Sequence, residues 1–157
     1  MTTSTTPVAG LVSGAAEYFN NVALPMVQRA VEAPNDTAAA LGAFTLLFHV
    51  KDWAKRDGLI PSEADYWNTC PFGQLVAEIA NGGKHAELTD RKLTTSPHVV
   101  QFRSCGFGQG GFGVGPFGTA NIQVNGIRAP GEAPCWWSTK EVLETVRDWW
   151  KGRLSAP

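Results

Sequence analysis

Cysteine is scarce and unpatterned. Cys70, Cys105 and Cys135 are the only three, no two form a C-x-x-C pair, and the odd count fits neither a disulfide framework nor a zinc knuckle. A reducing, cytoplasmic setting is the expectation. An excess of charge of either sign is missing as well. Thirteen Lys and Arg against 14 Asp and Glu leave a formal net charge of −1, so no global field recruits nucleic acid or an anionic membrane, and any such binding must be local. No apolar run approaches the roughly 20 residues that a membrane helix needs. The opening MTTSTTPVAGLVSG also lacks the basic segment of a secretory signal. A soluble protein with no membrane attachment is expected. Charged residues make up only 17% against 43% hydrophobic, which excludes a solvated disordered polymer and permits a sizeable core. At 157 residues the chain fits a single domain over 1–157, with a frayed Thr-rich tail over about 1–10.

What is present divides into two compositions. Up to about Lys92 the chain is rich in Ala and Leu at helical spacing, whereas 98–131 holds nine of the 17 glycines and alternates like strands. A first helix is expected from about Gly14 to Ala33, with a kink or break at Pro25 and a stop at Pro34. Asn35 and Asp36 are N-cap residues for a second helix that is apolar nearly all round, hence central, and ends near Gly58. Ser62 with Asp65 suggests a short helical turn, and Pro71 suits the first position of a third helix running to about residue 85. Ser138 and Glu141 form a capping box, with Trp137 and Val142 in the staple positions, opening a last helix whose apolar face is Val142, Val146, Trp149 and Trp150. Ala120, Ile122 and Val124 alternate with Asn121, Gln123 and Asn125, and Asn125-Gly126 is a favoured hairpin turn; Val100 and Phe102 suggest an earlier strand. The fold class is therefore mainly α, a four- or five-helix bundle with a β-hairpin insertion before the C-terminal helix.

Two polar stripes interrupt the apolar helices. At ~100° per residue, His49, Asp52 and Arg56 fall within about 40° of Thr45. Phe48 and Trp53 flank them, so His49 and Asp52 sit at the edge of an apolar surface and could form an oriented acid or base; the plainer reading is an exposed face on which Asp52 is satisfied by His49 and Arg56. On the third helix Glu78, Asn81 and His85 project within ~60° of one another. If the two helices are neighbours, His49, Asp52, Asn81 and His85 meet in one cleft. The competing reading is that Asn81, Gly82 and Gly83 end the helix and Lys84 and His85 meet its last carbonyls.

The segment Asn81-Gly82-Gly83-Lys84-His85 resembles the R-N-x-x-x-H motif of the HEPN superfamily, helical bundles that include metal-independent endoribonucleases of toxin and phage-defence systems. Asn81 and His85 match its Asn and His. The resemblance implies a cleft, often at a homodimer interface, that engages RNA or a nucleotide. There His85 acts as general acid or base, Asn81 positions the phosphate or His85, and His49 with Asp52 assists. The sequence departs from the motif at Ala80, where the family carries arginine, and alanine cannot supply bidentate phosphate contact. An endoribonuclease and an inactive relative that uses the same cleft for binding thus stand side by side. A non-enzymatic protein-interaction or oligomerisation module is the alternative from a different class.

Other features carry less. His49, Asp52, Glu78 and His85 are acceptable metal ligands, but there is no H-E-x-x-H and no E-x-x-H on the helices, so no cofactor or metal is expected. Gly106 to Gly118 sets a Phe at every fifth position in glycine; it lacks the Lys and Ser/Thr of a phosphate loop, and reads as a bent β connection or a contact loop. The Trp pairs at 136/137 and 149/150 suit core packing and a dimer face.

Overall fold

Four helices realise the helical spacing of the first half and a fifth closes the chain, in a computed structural model that describes residues 12–84, 102–105 and 121–155. Helix α1 occupies Ala15–Tyr18, widens into a π-helical segment over Phe19–Ala23 and continues as Leu24–Glu32. The widening lies just ahead of Pro25. Proline has no N–H for the ladder and its ring crowds the carbonyl four residues back, so the looser turn absorbs it and the helix carries on. Ala33 then leaves helical geometry before Pro34, as expected of a residue preceding proline.

Helix α2, Thr37–Arg56, begins where Asp36 accepts a hydrogen bond from the Ala39 N–H at 2.9 Å. It is the central element, packed against the other four helices, with Ala43, Phe44, Leu47, Val50 and Ala54 fully buried. Helix α3, Glu63–Thr69, is longer than a turn and starts at Ser62, whose hydroxyl accepts from the Asp65 N–H. Helix α4, Gly73–Lys84, begins two residues later than the proline rule places it. The Gly73 N–H donates to the Cys70 carbonyl at 2.9 Å and Phe72 has φ +61. That hydrogen bond and positive φ belong to a type II turn with Pro71 at its first central position, so the proline serves the turn and not the helix start. The helix runs through Gly82 and Gly83, so these glycines do not end it at Asn81.

The hairpin precedes the last helix, and a further strand lies beside it. Strands β1 (Phe102–Cys105), β2 (Asn121–Gly126) and β3 (Cys135–Ser138) form an antiparallel sheet in that order. Phe102 pairs with Val124, as its apolar character suggested, while Val100 and Ala120 lie outside the described residues. The Asn125-Gly126 turn is not formed: these residues continue β2 opposite Trp136 and Cys135. The connection instead spans 127–134, where Gly131 takes φ +87. Gly126 is needed where it is because a Cβ there would overlap the side chain of buried Leu75 on α4. Cys105 and Cys135 pair with opposite ends of β2. Five residues at ~3.3 Å each hold their backbones apart, too far for a disulfide.

Helix α5, Thr139–Leu154, starts at Ser138, whose hydroxyl accepts from the Glu141 N–H at 3.3 Å. Val142, Leu143, Val146 and Trp150 are its buried face, with Trp149 at the margin. Trp150 stacks on buried Tyr66 at 5.7 Å, and Arg153 bonds Asp65 at 2.9 Å and Thr69 at 3.1 Å, which ties α5 to α3. Burial pushes the Cys70 thiol, also on this contact, far above its ordinary range.

Candidate functional site

The first polar stripe forms as the helical wheel places it. Thr45 and His49 are half-buried, and Asp52 and Arg56 are exposed, on the side of α2 away from Leu47 and Val50. His49 Nδ1 lies 3.0 Å from Asp52 Oδ2. Burial raises the Asp52 carboxyl, but hydrogen bonds and charge from Lys51 and His49 outweigh it and hold the group below its usual range. An ionised carboxylate can only accept, so this contact is a hydrogen bond in the ring form that carries a proton on Nδ1. Arg56 does not complete this pair. It turns to Asp57 at 3.1 Å and to the Ser13 carbonyl, and its guanidinium lies 4.3 Å from the centre of the Trp53 ring. Tyr18 stacks on Trp53 at 5.4 Å, and its hydroxyl is raised by burial and by the Asp52 charge.

The partner that replaces Arg56 is Lys51, whose Nζ lies 2.8 Å from Asp52 Oδ1 and 3.5 Å from Glu63 Oε1 on α3. One Asp52 carboxylate thus binds His49 through one oxygen and Lys51 through the other. Pattern reading passed over Lys51. The signal was available: Lys51 follows Phe44, Leu47 and Phe48 on the buried stripe of α2, where a lysine needs partners. Glu63 and Tyr18 come from other elements, and no local pattern in α2 points to them.

The second stripe runs along α4. Gln74, Glu78 and Asn81 are half-buried, while Leu75, Val76, Ala77, Ile79 and Ala80 are buried. Gln74 Nε2 donates to Glu78 Oε1 at 3.3 Å. Burial raises the Glu78 carboxyl, and the Gln74 bond offsets it only in part. Helices α2 and α4 pack directly on each other. His85 lies outside the described residues, as do Arg91, His98 and the Gly/Phe stretch 106–118. Among the described residues no three His, Cys, Asp or Glu side chains gather into a metal-binding group. None of the described helices is long and apolar enough to cross a membrane.

No protein-family model, curated protein or solved structure matches the chain. The site must be read from its own geometry.

Proposed function

We propose that the chain is a HEPN-like helical protein that engages RNA or a nucleotide through the polar stripes of α2 and α4 and leaves the strand uncut. The observation that carries this reading is the His49 to Asp52 contact of 3.0 Å on the outer side of a helix packed against the one bearing Asn81. A carboxylate that holds one ring nitrogen fixes the imidazole's direction, which suits contact with a phosphate or a base edge. Asn81 adds an amide, and His85 follows it by four residues in the sequence. The absence of cleavage follows from Ala80, which is fully buried where the family's arginine would have to reach solvent.

The test is fluorescence anisotropy with labelled single-stranded RNA and with mononucleotides, alongside a gel assay of RNA integrity in EDTA. Binding weakened about tenfold, or ~1.4 kcal/mol, in His49→Ala and in His85→Ala, with RNA intact throughout, is the expected result. Cleavage that disappears in His85→Ala would instead show an active nuclease. No binding by the wild-type chain would overturn the reading.

A protein-interaction module is the second reading, and one observation favours it. Trp67 and Trp149 both pack edge-on against Tyr66, at 5.1 and 5.8 Å, and both remain only partly buried. Half-covered tryptophans are enriched in interfaces. Light scattering coupled to gel filtration separates a dimer, weakened by Trp149→Ala, from a monomer.

A further inference from the structure

Among the described residues Lys51 is the one charged side chain that is buried, with 6% of its surface exposed. Its ammonium lies 4.5 Å from the centre of the Phe48 ring, 2.8 Å from Asp52 and 3.5 Å from Glu63. A lysine kept from solvent forfeits hydration that only well-placed partners can replace, so a residue here solely to fill the core would be better apolar. An anchor between α2 and α3 explains the contact with Glu63. It does not explain why the shorter contact is to the carboxylate that already holds His49.

We infer that Lys51 is a positioning residue for the proposed binding site: it fixes the Asp52 carboxylate that orients His49, and through Glu63 it links that orientation to α3. The inference rests on the binding role proposed above for His49. Its physical basis is competition for one carboxylate. Lys51 draws on Oδ1 and so reduces the negative charge available at Oδ2, which sets how strongly Asp52 holds the Nδ1 proton. Glu63 in turn draws on Lys51. Among the described residues, Tyr18 from α1 and Lys55 from α2 are further titratable groups near the pair, Lys55 standing 4.0 Å from Glu63.

The test reads the His49 ring by nitrogen-15 NMR at pH 8, without RNA. Lys51→Met removes the competitor, so the share of neutral rings carrying the proton on Nδ1 rises. Glu63→Gln, an exposed change that preserves the fold, frees Lys51 for Asp52 alone and moves the signal the opposite way. In an Asp52→Asn background the Lys51→Met effect vanishes, because its route is gone. If Lys51→Met fails to fold, the Glu63→Gln arm decides. A His49 signal unmoved by Glu63→Gln, with only thermal stability lowered, overturns the inference and leaves Lys51 an anchor. RNA anisotropy on the same samples keeps the two proposals apart: ring signals that move as expected in a protein that binds no RNA sustain the Lys51 role and refute the binding reading alone.

Discussion

The Asp57 carboxylate accepts a hydrogen bond from the backbone N–H of Ala15 at 2.6 Å, across 42 positions of the chain. Gly14, at the N-cap of α1, has no side chain to do this, and a Cβ there would press on Asp57 at 2.9 Å. The first helix is therefore capped by the residue that closes the second, and Arg56 reinforces the junction through the Ser13 carbonyl.

Removing that cap has a consequence that depends on pH. The Ala15 N–H holds the Asp57 carboxyl below its usual range, with burial opposing and Arg56 assisting. A carboxyl depressed on folding stabilises the native state fully above the unfolded value of about 3.9 and loses that contribution as pH falls through the lower folded value. Asp57→Ala is expected to cost about 1 kcal/mol at pH 7. Asp57→Asn keeps an acceptor but cannot titrate, so its deficit relative to wild type shrinks between pH 4 and pH 2. Urea denaturation at the two ends of that range checks both; a deficit independent of pH would contradict the cap.

Gly126 joins the sheet to α4. Because a Cβ at that position would overlap Leu75, which is fully buried, Gly126→Ala is expected to cost ~1–3 kcal/mol through overpacking. Leu75→Ala alone should cost ~2–5 kcal/mol by leaving a cavity. Combined, the two substitutions should cost less than their sum, since the new methyl enters the space the leucine leaves. Additive values in chemical denaturation would show that the two residues do not meet.

Phe72 inverts an ordinary ranking. It is buried, meets Trp137 edge-on at 5.0 Å, and holds φ +61, a conformation that costs a residue with a Cβ about 1 kcal/mol or more. Both Phe72→Ala and Phe72→Gly lose the ring, at ~3–5 kcal/mol. Only glycine also relieves the backbone, so Phe72→Gly should be the more stable of the pair by about 1 kcal/mol. Melting curves for both variants decide it, and an alanine variant equal to or better than glycine would count against the strain.

The parts of this fold that sequence reading anticipated depend on neighbours in the chain. Asp36, Ser62 and Ser138 each cap a helix through a backbone N–H three residues ahead, and the apolar period of α5 anticipates Val142, Val146 and Trp150 of its buried face. The misreadings occur where a distant contact overrides a local signal. Asn125-Gly126 has the composition of a turn, but Leu75 requires the glycine inside a strand. Pro71 has the character of a helix start, but the Phe72 N–H is bonded to the Arg128 carbonyl at 2.7 Å and Pro71 lies in a turn that precedes the helix. In the candidate site the His49 and Asp52 contact was legible from a spacing of three. The loss of Arg56 from it was not, because Arg56 is drawn off by Asp57 and Ser13, which the helical wheel of α2 does not include.

Placing an arginine at position 80, where the HEPN motif carries one, tests the proposed resemblance where it is weakest. Ala80 is fully buried, between Ile79, itself buried, and half-buried Asn81. Ala80→Arg would place a guanidinium within the apolar core cluster, at a cost of several kcal/mol. Loss of the cooperative thermal transition is expected, whereas Asn81→Arg, one position round the helix and partly open to solvent, should fold and melt close to wild type. Neither variant should cleave RNA in EDTA. A folded Ala80→Arg protein that cuts RNA would mean that α4 can turn this position to the surface, and that the chain differs from an active nuclease by one side chain.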